Sequence, residues 1–185
     1  MHLAPDTEDI LAFIVALGNT VASASRSGTD EIATPARLTE LLDAHGYTGR
    51  FDRDERELAE VHRARARLRH VWSLKRDAAA DEVNEILRQT RALPQLVRHD
   101  AFDWHLHASA DDEPLADRIL SEASLAFVDV IRTDEMTRLR SCGAPDCEGI
   151  FADLSRNGSK RFCSVRCGNR VNMIAFRERA AADSA

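Results

Sequence analysis

The 185-residue chain is short of several things, and each shortage narrows what it can be. It has one tyrosine and only two lysines, so arginine supplies 23 of its 25 cations. Beside abundant alanine, that bias fits a GC-rich coding sequence better than a need for guanidinium chemistry. Charge position is therefore informative, and arginine identity is not. No run approaches the roughly eighteen apolar residues of a membrane-spanning helix, and 44% hydrophobic residues suit a soluble globular chain. Gly-x-Ser-x-Gly, a phosphate-cradling glycine loop and His-Glu-x-x-His are all missing, as is the His-x-Glu of zinc deaminases. An enzyme is thus the least favoured class. The first residues lack the basic stretch and cleavage pattern of a secretory signal, which points to a cytoplasmic protein with reduced thiols.

What the chain does have is concentrated in its last quarter. All four cysteines fall in one pattern, Cys142-x4-Cys147, fifteen residues, then Cys163-x3-Cys167. Two close pairs around a short polar excursion can bring four thiolates to one tetrahedral Zn²⁺. Two disulfides would need an oxidising compartment, and the Cys-x-x-Cys of a redox pair is absent. An iron–sulfur cluster also takes four thiolates and stays open at this point. Four protein ligands leave no coordination position free, so the metal is structural rather than catalytic. The segment from Glu148 to Phe162 reads as two short strands around an Asn157-Gly158 turn. An amphipathic helix follows from Ser164 to about Ala181, giving a treble-clef or zinc-ribbon-like module.

These residues carry a resemblance. Cys142 and Cys147, then Phe151-x-Asp153-x-Ser155-Arg156, then Lys160-Arg161-Phe162-Cys163-Ser164, then Cys167-Gly168-Asn169-Arg170 resemble the CGNR zinc finger, named for that last tetrapeptide. Phe162 stands where a tryptophan is commoner in that family. The residues before it are similar to the ABATE domain, a stress-induced transcription regulator module. Asn19-Thr20 after a hydrophobic run and the long helical middle are the points of similarity there. The resemblance implies a DNA-binding role for the finger.

Charge distribution agrees with that implication. The net charge is −6 overall, yet Leu154 to Arg179 holds seven cations and one acid, or +6, leaving −12 for the remainder. Such asymmetry is a footprint of a polyanion-facing patch. On a wheel of about 100° per residue, Arg166, Arg170 and Arg177 fall in one stripe beside the Cys163–Cys167 face, with Val171 and Ile174 on the side of the metal and core. Asn169 and Asn172 lie on the open side, where an amide can read an adenine edge. Candidate nucleic-acid contacts are Arg156, Lys160, Arg161, Arg166, Asn169 and Arg177. Arg170, nearest the metal face, has a structural role instead, bonding knuckle carbonyls or pairing with Asp153.

Upstream of the cysteines the chain reads as helical. Asp6 or Thr7 caps a helix from Glu8 to about Ser23, with Ile10, Leu11, Ile14, Leu17 and Val21 near helical spacing. Thr34-Pro35 starts a second, ending at Gly46. Asp52-Arg-Asp54 opens a long third to about Lys75, burying Leu58, Val61, Leu68 and Trp72. A fourth runs from Asp81 to Leu93, where Pro94 stops it. Gln95–Arg98 and Phe102–His107 alternate in period two, predicting a β-hairpin turned at His99-Asp100. Pro114 begins the last helix of this part, through Ile131. Arg63, Arg65, Arg67 and Arg69 point to different helix faces and so read as a solvated face pairing with Asp52, Asp54, Glu55, Glu57 and the acidic helices elsewhere, not a ligand stripe. His105 and His107 share a strand face, which allows a chelating pair, but no third ligand lies near in sequence.

The sequence thus predicts a mainly α protein with a small β-hairpin: a helical domain over 1–137, then a zinc module over 138–185. The expected function is a zinc-dependent DNA-binding transcription regulator of the cytoplasm. Its helical domain would sense a small-molecule effector or mediate homodimerisation. A protein-interaction adaptor is the alternative.

Overall fold

A computed structural model describes residues 3–98 and 104–182. Among these it shows six α-helices and two antiparallel hairpins. Helix α1 (Pro5–Gly18) starts at a proline, whose fixed φ suits the first turn, and not at Glu8. Asp129 accepts hydrogen bonds from the Ala4 amide (3.1 Å) and the Thr7 hydroxyl (3.0 Å), so a tertiary contact replaces the local cap expected from Asp6 or Thr7. The helix stops at Gly18 because Thr20 turns its hydroxyl back onto the Leu17 carbonyl at 2.6 Å. Helix α2 (Pro35–Ala44) has the Thr34 cap that its sequence predicts, the hydroxyl accepting the Arg37 amide. Its chain then turns through Gly46 at φ +64°. Helix α3 (Glu55–Ser73) is capped by Asp54.

Helix α4 (Arg76–Gln89) begins five residues before the predicted Asp81 and ends before Leu93. Ala79 in that added turn is fully buried, and Arg91 at φ +51° ends the run ahead of Pro94. Strands β1 (Gln95–Val97) and β2 (His105–His107) pair with Leu96 opposite Leu106. The predicted turn at His99-Asp100 and the residues Phe102 and Asp103 lie outside the described residues. Helix α5 (Leu115–Arg132) follows Pro114 and is the hub, packing against α1, α3 and α4. Phe127 sits fully buried on it, with the Trp72 ring edge-on at 6.2 Å. Leu11, Ile14, Leu17, Leu58, Val61, Leu68, Ile119 and Leu120 fill the core with them, while Ile10, Val21, Val128 and Ile131 are only partly covered.

The α3 arginines are not a solvated face. Arg65 is buried, with a bidentate pair to Asp30 (2.6 and 2.9 Å) and a hydrogen bond to the Thr20 hydroxyl. That guanidinium holds the Asp30 carboxyl below its ordinary range. Arg67 bonds Glu82 and Gln89. Arg69 donates to the carbonyls of Gly18 (2.8 Å) and Glu148 (2.9 Å), and so ties α1 to the cysteine-bearing segment. Arg63 remains on the surface, 4.0 Å from Glu60, as does Arg56 at the start of the helix.

After a 3₁₀ turn (Met136–Arg138), strands β3 (Leu139–Ser141) and β4 (Ile150–Ala152) form the second hairpin. Leu139 and Ile150 belong to the same hydrophobic cluster as the helices. The Asn19 side chain pairs with the Ile150 backbone as a strand would, accepting its N–H at 2.7 Å and donating to its C=O at 2.9 Å. Gly18 leaves room for Ile150, whose Cδ1 would stand 2.7 Å from an added Cβ. The Trp72 indole N–H donates to the Arg140 carbonyl at 3.2 Å, and the Glu148 amide to the Ser23 carbonyl at 3.1 Å. Helix α6 (Val165–Ala182) projects beyond this seam.

Replacing Asn19 by Ala strands a buried N–H and C=O on Ile150. The expected loss is about 3 kcal/mol at roughly 1–3 per orphaned group. For a chain of this length it appears as a fall in melting temperature of about 6–12 °C. Hydrogen exchange should accelerate in β4 and leave the middle of α5 unchanged; equal acceleration in both would show that Asn19 does not act as a local seam.

Candidate metal centre

The cysteines are delivered by three different pieces of structure. Cys142 ends the β3 strand, Cys147 closes the turn before β4, and Cys163 and Cys167 flank the first turn of α6. The four sulfurs all lie within 4.8 Å of one another. Cys163 Sγ is 3.8 Å from Cys147 Sγ and 3.7 Å from Cys167 Sγ. Sulfurs placed tetrahedrally at about 2.3 Å from one zinc ion sit about 3.8 Å apart, whereas a disulfide needs about 2.05 Å. The spacing is that of four metal ligands, and all four cysteines are free. They hold a structural Zn²⁺.

The surroundings are built around sulfur. The amides of Gly149 and Cys163 point at Cys147 Sγ (3.4 Å) and Cys142 Sγ (3.5 Å), the usual way a knuckle offsets thiolate charge. A Cβ on Gly149 would lie 2.9 Å from Cys163 Sγ and 3.2 Å from Cys147 Sγ, so the position has no room for a side chain. Ser164 caps α6, its hydroxyl accepting the Cys167 amide at 3.2 Å. Gly168 faces the Phe162 ring, 3.3 Å from where a Cβ would stand. Without metal, burial pushes the Cys147 and Cys163 thiols up. Burial also opposes ionisation of Cys167, but the Ser164 hydroxyl and neighbouring sulfurs hold it below its ordinary value. Loading zinc therefore releases protons, and acid competes with the metal.

Arg170 does not pair with Asp153. Its guanidinium donates to Asp146 Oδ1 at 2.6 Å and lies 3.8 Å from Cys167 Sγ, so a cation stands beside a centre that four thiolates make formally negative. Asp146 sits in the turn between the first two cysteines, within reach of α6 only once the metal folds the two halves together; its Asp type alone gave no signal. Asp153 is fully buried and belongs to another network. It accepts from the Ser155 amide and hydroxyl and from the Lys160 amide, with Arg140 at 3.4 Å. Burial works against its charge, yet these donors keep the carboxyl below its ordinary range.

That network also corrects the predicted hairpin. No strand occupies 153–162 among the described residues; β4 pairs backwards with β3 instead. Asp153 takes the amides of Ser155 and Lys160, while Arg138 and Arg140 take the carbonyls of Asp153, Ser155 and Lys160. Those are the groups a second strand would have needed. A turn does form at Arg156-Asn157, closed by the Gly158 amide on Ser155 O, with Gly158 at φ +56°.

The candidate nucleic-acid residues Arg156, Lys160, Arg161, Arg166, Asn169 and Arg177 are all exposed. Among the described residues none of these five cations pairs with a carboxylate; Arg161 stacks on Phe162 at 5.4 Å. The predicted inner face of α6 is shorter than expected. Cys167 is buried, Val171 is half-buried, and Ile174 is 44% exposed, because no other element covers the helix beyond its second turn.

Gly149→Ala should cut zinc retention about 10–100-fold, the range for a change just outside the ligands, in competition with a chromogenic chelator. Cys163→Ser should abolish one-to-one zinc binding by elemental analysis. Unchanged retention in the Gly149 variant would mean that the sulfurs are not held at this spacing.

Two family models cover most of the chain. The CGNR zinc finger matches residues 138–180, and ABATE, described as "Putative stress-induced transcription regulator", matches residues 11–134. No curated protein matches the chain. Neither family is an enzyme family, and no described helix is long and apolar enough to cross a membrane. With two thirds of its length under one model and its four thiolates in the geometry that the other requires, the chain belongs to the ABATE family and carries a CGNR zinc finger after the helical part.

Proposed function

We propose that the protein is a DNA-binding transcription regulator of the cytoplasm whose zinc finger contacts the duplex. One observation carries this reading: Arg156, Lys160, Arg161, Arg166 and Arg177 are exposed, with no carboxylate partner among the described residues, on a metal-braced module in an otherwise acidic chain. The contrast with α3 gives it force. There the arginines are spent on Asp30, Glu82 and backbone carbonyls, so their density has a structural cause. The finger cations have no such employment. Arg166 and Arg177 share one helix stripe, the arrangement successive phosphates need, with Asn169 exposed beside it for a base edge. The helical part would sense a small effector or hold two copies together.

A second reading, the protein-interaction adaptor, draws on a different feature of α6. Val165, Met173, Ile174 and Phe176 are 80%, 51%, 44% and 60% exposed. Exposed apolar side chains of this size suit a protein partner better than a phosphate backbone.

Salt separates the two. Five phosphate contacts give a log–log slope of affinity against salt near about −4.5 on duplex DNA. Arg166→Ala or Arg177→Ala should flatten that slope by about one unit and weaken all sequences alike. Asn169→Ala should alter sequence preference instead. Absence of duplex binding at low salt by the folded, zinc-loaded protein would favour the adaptor.

A further inference from the structure

The helical part holds a cleft of about 410 Å³, within the range of small-molecule sites. It opens beside the first half of α1, far along that helix from the finger seam at Gly18 and Asn19. Its apolar wall is Phe13, Tyr47 and Ile119, with the Phe13 and Tyr47 rings tilted together at 4.8 Å. Asp6, Asp9, Asp111 and Glu122 also line it. The Tyr47 hydroxyl is buried without a hydrogen-bond partner, an orphan in a cavity wall of the kind that marks room for a ligand or water.

Against those four carboxylates the lining sets one guanidinium, Arg118, and the imidazoles of His45, His105 and His107. Arg118 is buried and its guanidinium is spent on the carbonyls of Thr48, Arg50 and Glu113, under the Tyr47 and Phe51 rings. His105 and His107 meet through their Nε2 atoms at 3.0 Å. Burial pushes the Glu122 carboxyl up, against the Ala108 amide and the charges of His105 and Arg118, which pull it down. A positive charge entering the cleft would relieve that burial penalty. Four carboxylates against one guanidinium favour a cation over an anion.

We propose that this cleft binds a small organic cation with an apolar body, such as an aryl-alkyl amine. Asp6, Asp9, Asp111 and Glu122 supply the counter-charge, and the Phe13–Tyr47 face takes the apolar body, where cation–π attraction adds to burial. The cleft is the effector site that the regulator reading calls for, and only its consequence for DNA rests on that reading.

Benzylamine, benzyl alcohol and benzoate share one ring and differ in charge. Titrated into the full zinc-loaded chain and followed by NMR shifts up to about 10 mM, which saturates millimolar binders, benzylamine should bind at least tenfold more tightly than the alcohol. Benzoate should not bind. Glu122→Gln, which keeps an acceptor for the Ala108 amide, should weaken benzylamine about tenfold and leave the alcohol unchanged. Should that variant lose its fold, Asp9→Asn on the exposed face of α1 should weaken benzylamine two- to fivefold. Equal affinities for amine and alcohol, binding of benzoate, or no response to either substitution would overturn the proposal. A divalent metal binding His105 and His107 in place of the amine would overturn it too. Whether benzylamine changes duplex affinity is a separate measurement, so failure of the cleft and failure of the regulator reading are told apart.

Discussion

The structure depends on one side chain behaving as a piece of backbone. Asn19, just past the end of α1, presents its amide to Ile150 as a neighbouring strand would, and satisfies the two groups that β4 leaves unpaired on its outer edge. An edge strand in a two-stranded sheet is normally open to water or to another chain. Here it is closed by an amide of matching length, while Ile150 drops into the space that Gly18 leaves and joins the helical core. Arg69 and Trp72 on α3 fasten the same seam from the other side. The finger is thus seated on the helices by directional hydrogen bonds around two buried aliphatic side chains, Leu139 and Ile150.

That seating has a consequence for the metal. A module of about forty residues cannot bury enough surface to hold itself together, so zinc supplies its folding energy. The β3–β4 hairpin, however, is held twice, once by thiolates on the Cys142–Cys147 turn and once by the helical core. Glu148 lies at the junction: its carbonyl accepts from Arg69, its amide donates to Ser23, and the next residue, Gly149, touches two of the sulfurs. Metal loading and docking are mechanically coupled through three consecutive residues. The part of α6 beyond Val171 is bound by neither restraint, and Met173, Ile174 and Phe176 on it are exposed.

Arginine chemistry divides along the same line. Inside the helical part and at the seam, guanidinium groups work as multi-donor braces on carbonyls and carboxylates, as Arg65, Arg69, Arg118 and Arg138 do. Around α6 only Arg170 braces anything among the described residues, and it braces the metal site. Arg156, Lys160, Arg161, Arg166 and Arg177 are exposed. An acidic body with one cationic module separates its own charges in space, and under the proposed function that separation would steer a polyanion to the finger.

Cysteine spacing, helix caps such as Thr34 and Asp54, and apolar periodicity were enough to read the zinc site and most helices, because each depends on residues close in sequence. Metal ligation is the extreme case: four soft donors in two tight pairs have few other uses. Local reasoning failed where a distant group outbid a near one. Asp153 drew the amides that would have made a second strand, Asp129 replaced a helix cap, and Asp146 displaced Asp153 as the partner of Arg170. The α3 arginines looked solvated because nothing in their own helix shows that Asp30, Gly18 and Glu148 stand above them. Hydrogen bonds and ion pairs are satisfied by whatever group is nearest in space, and for charged side chains that is decided only when the helices pack. The sequence by itself therefore determined the four metal ligands, the helical class and the family; the seam at Asn19 and the cleft beside α1 were decided by the tertiary structure alone.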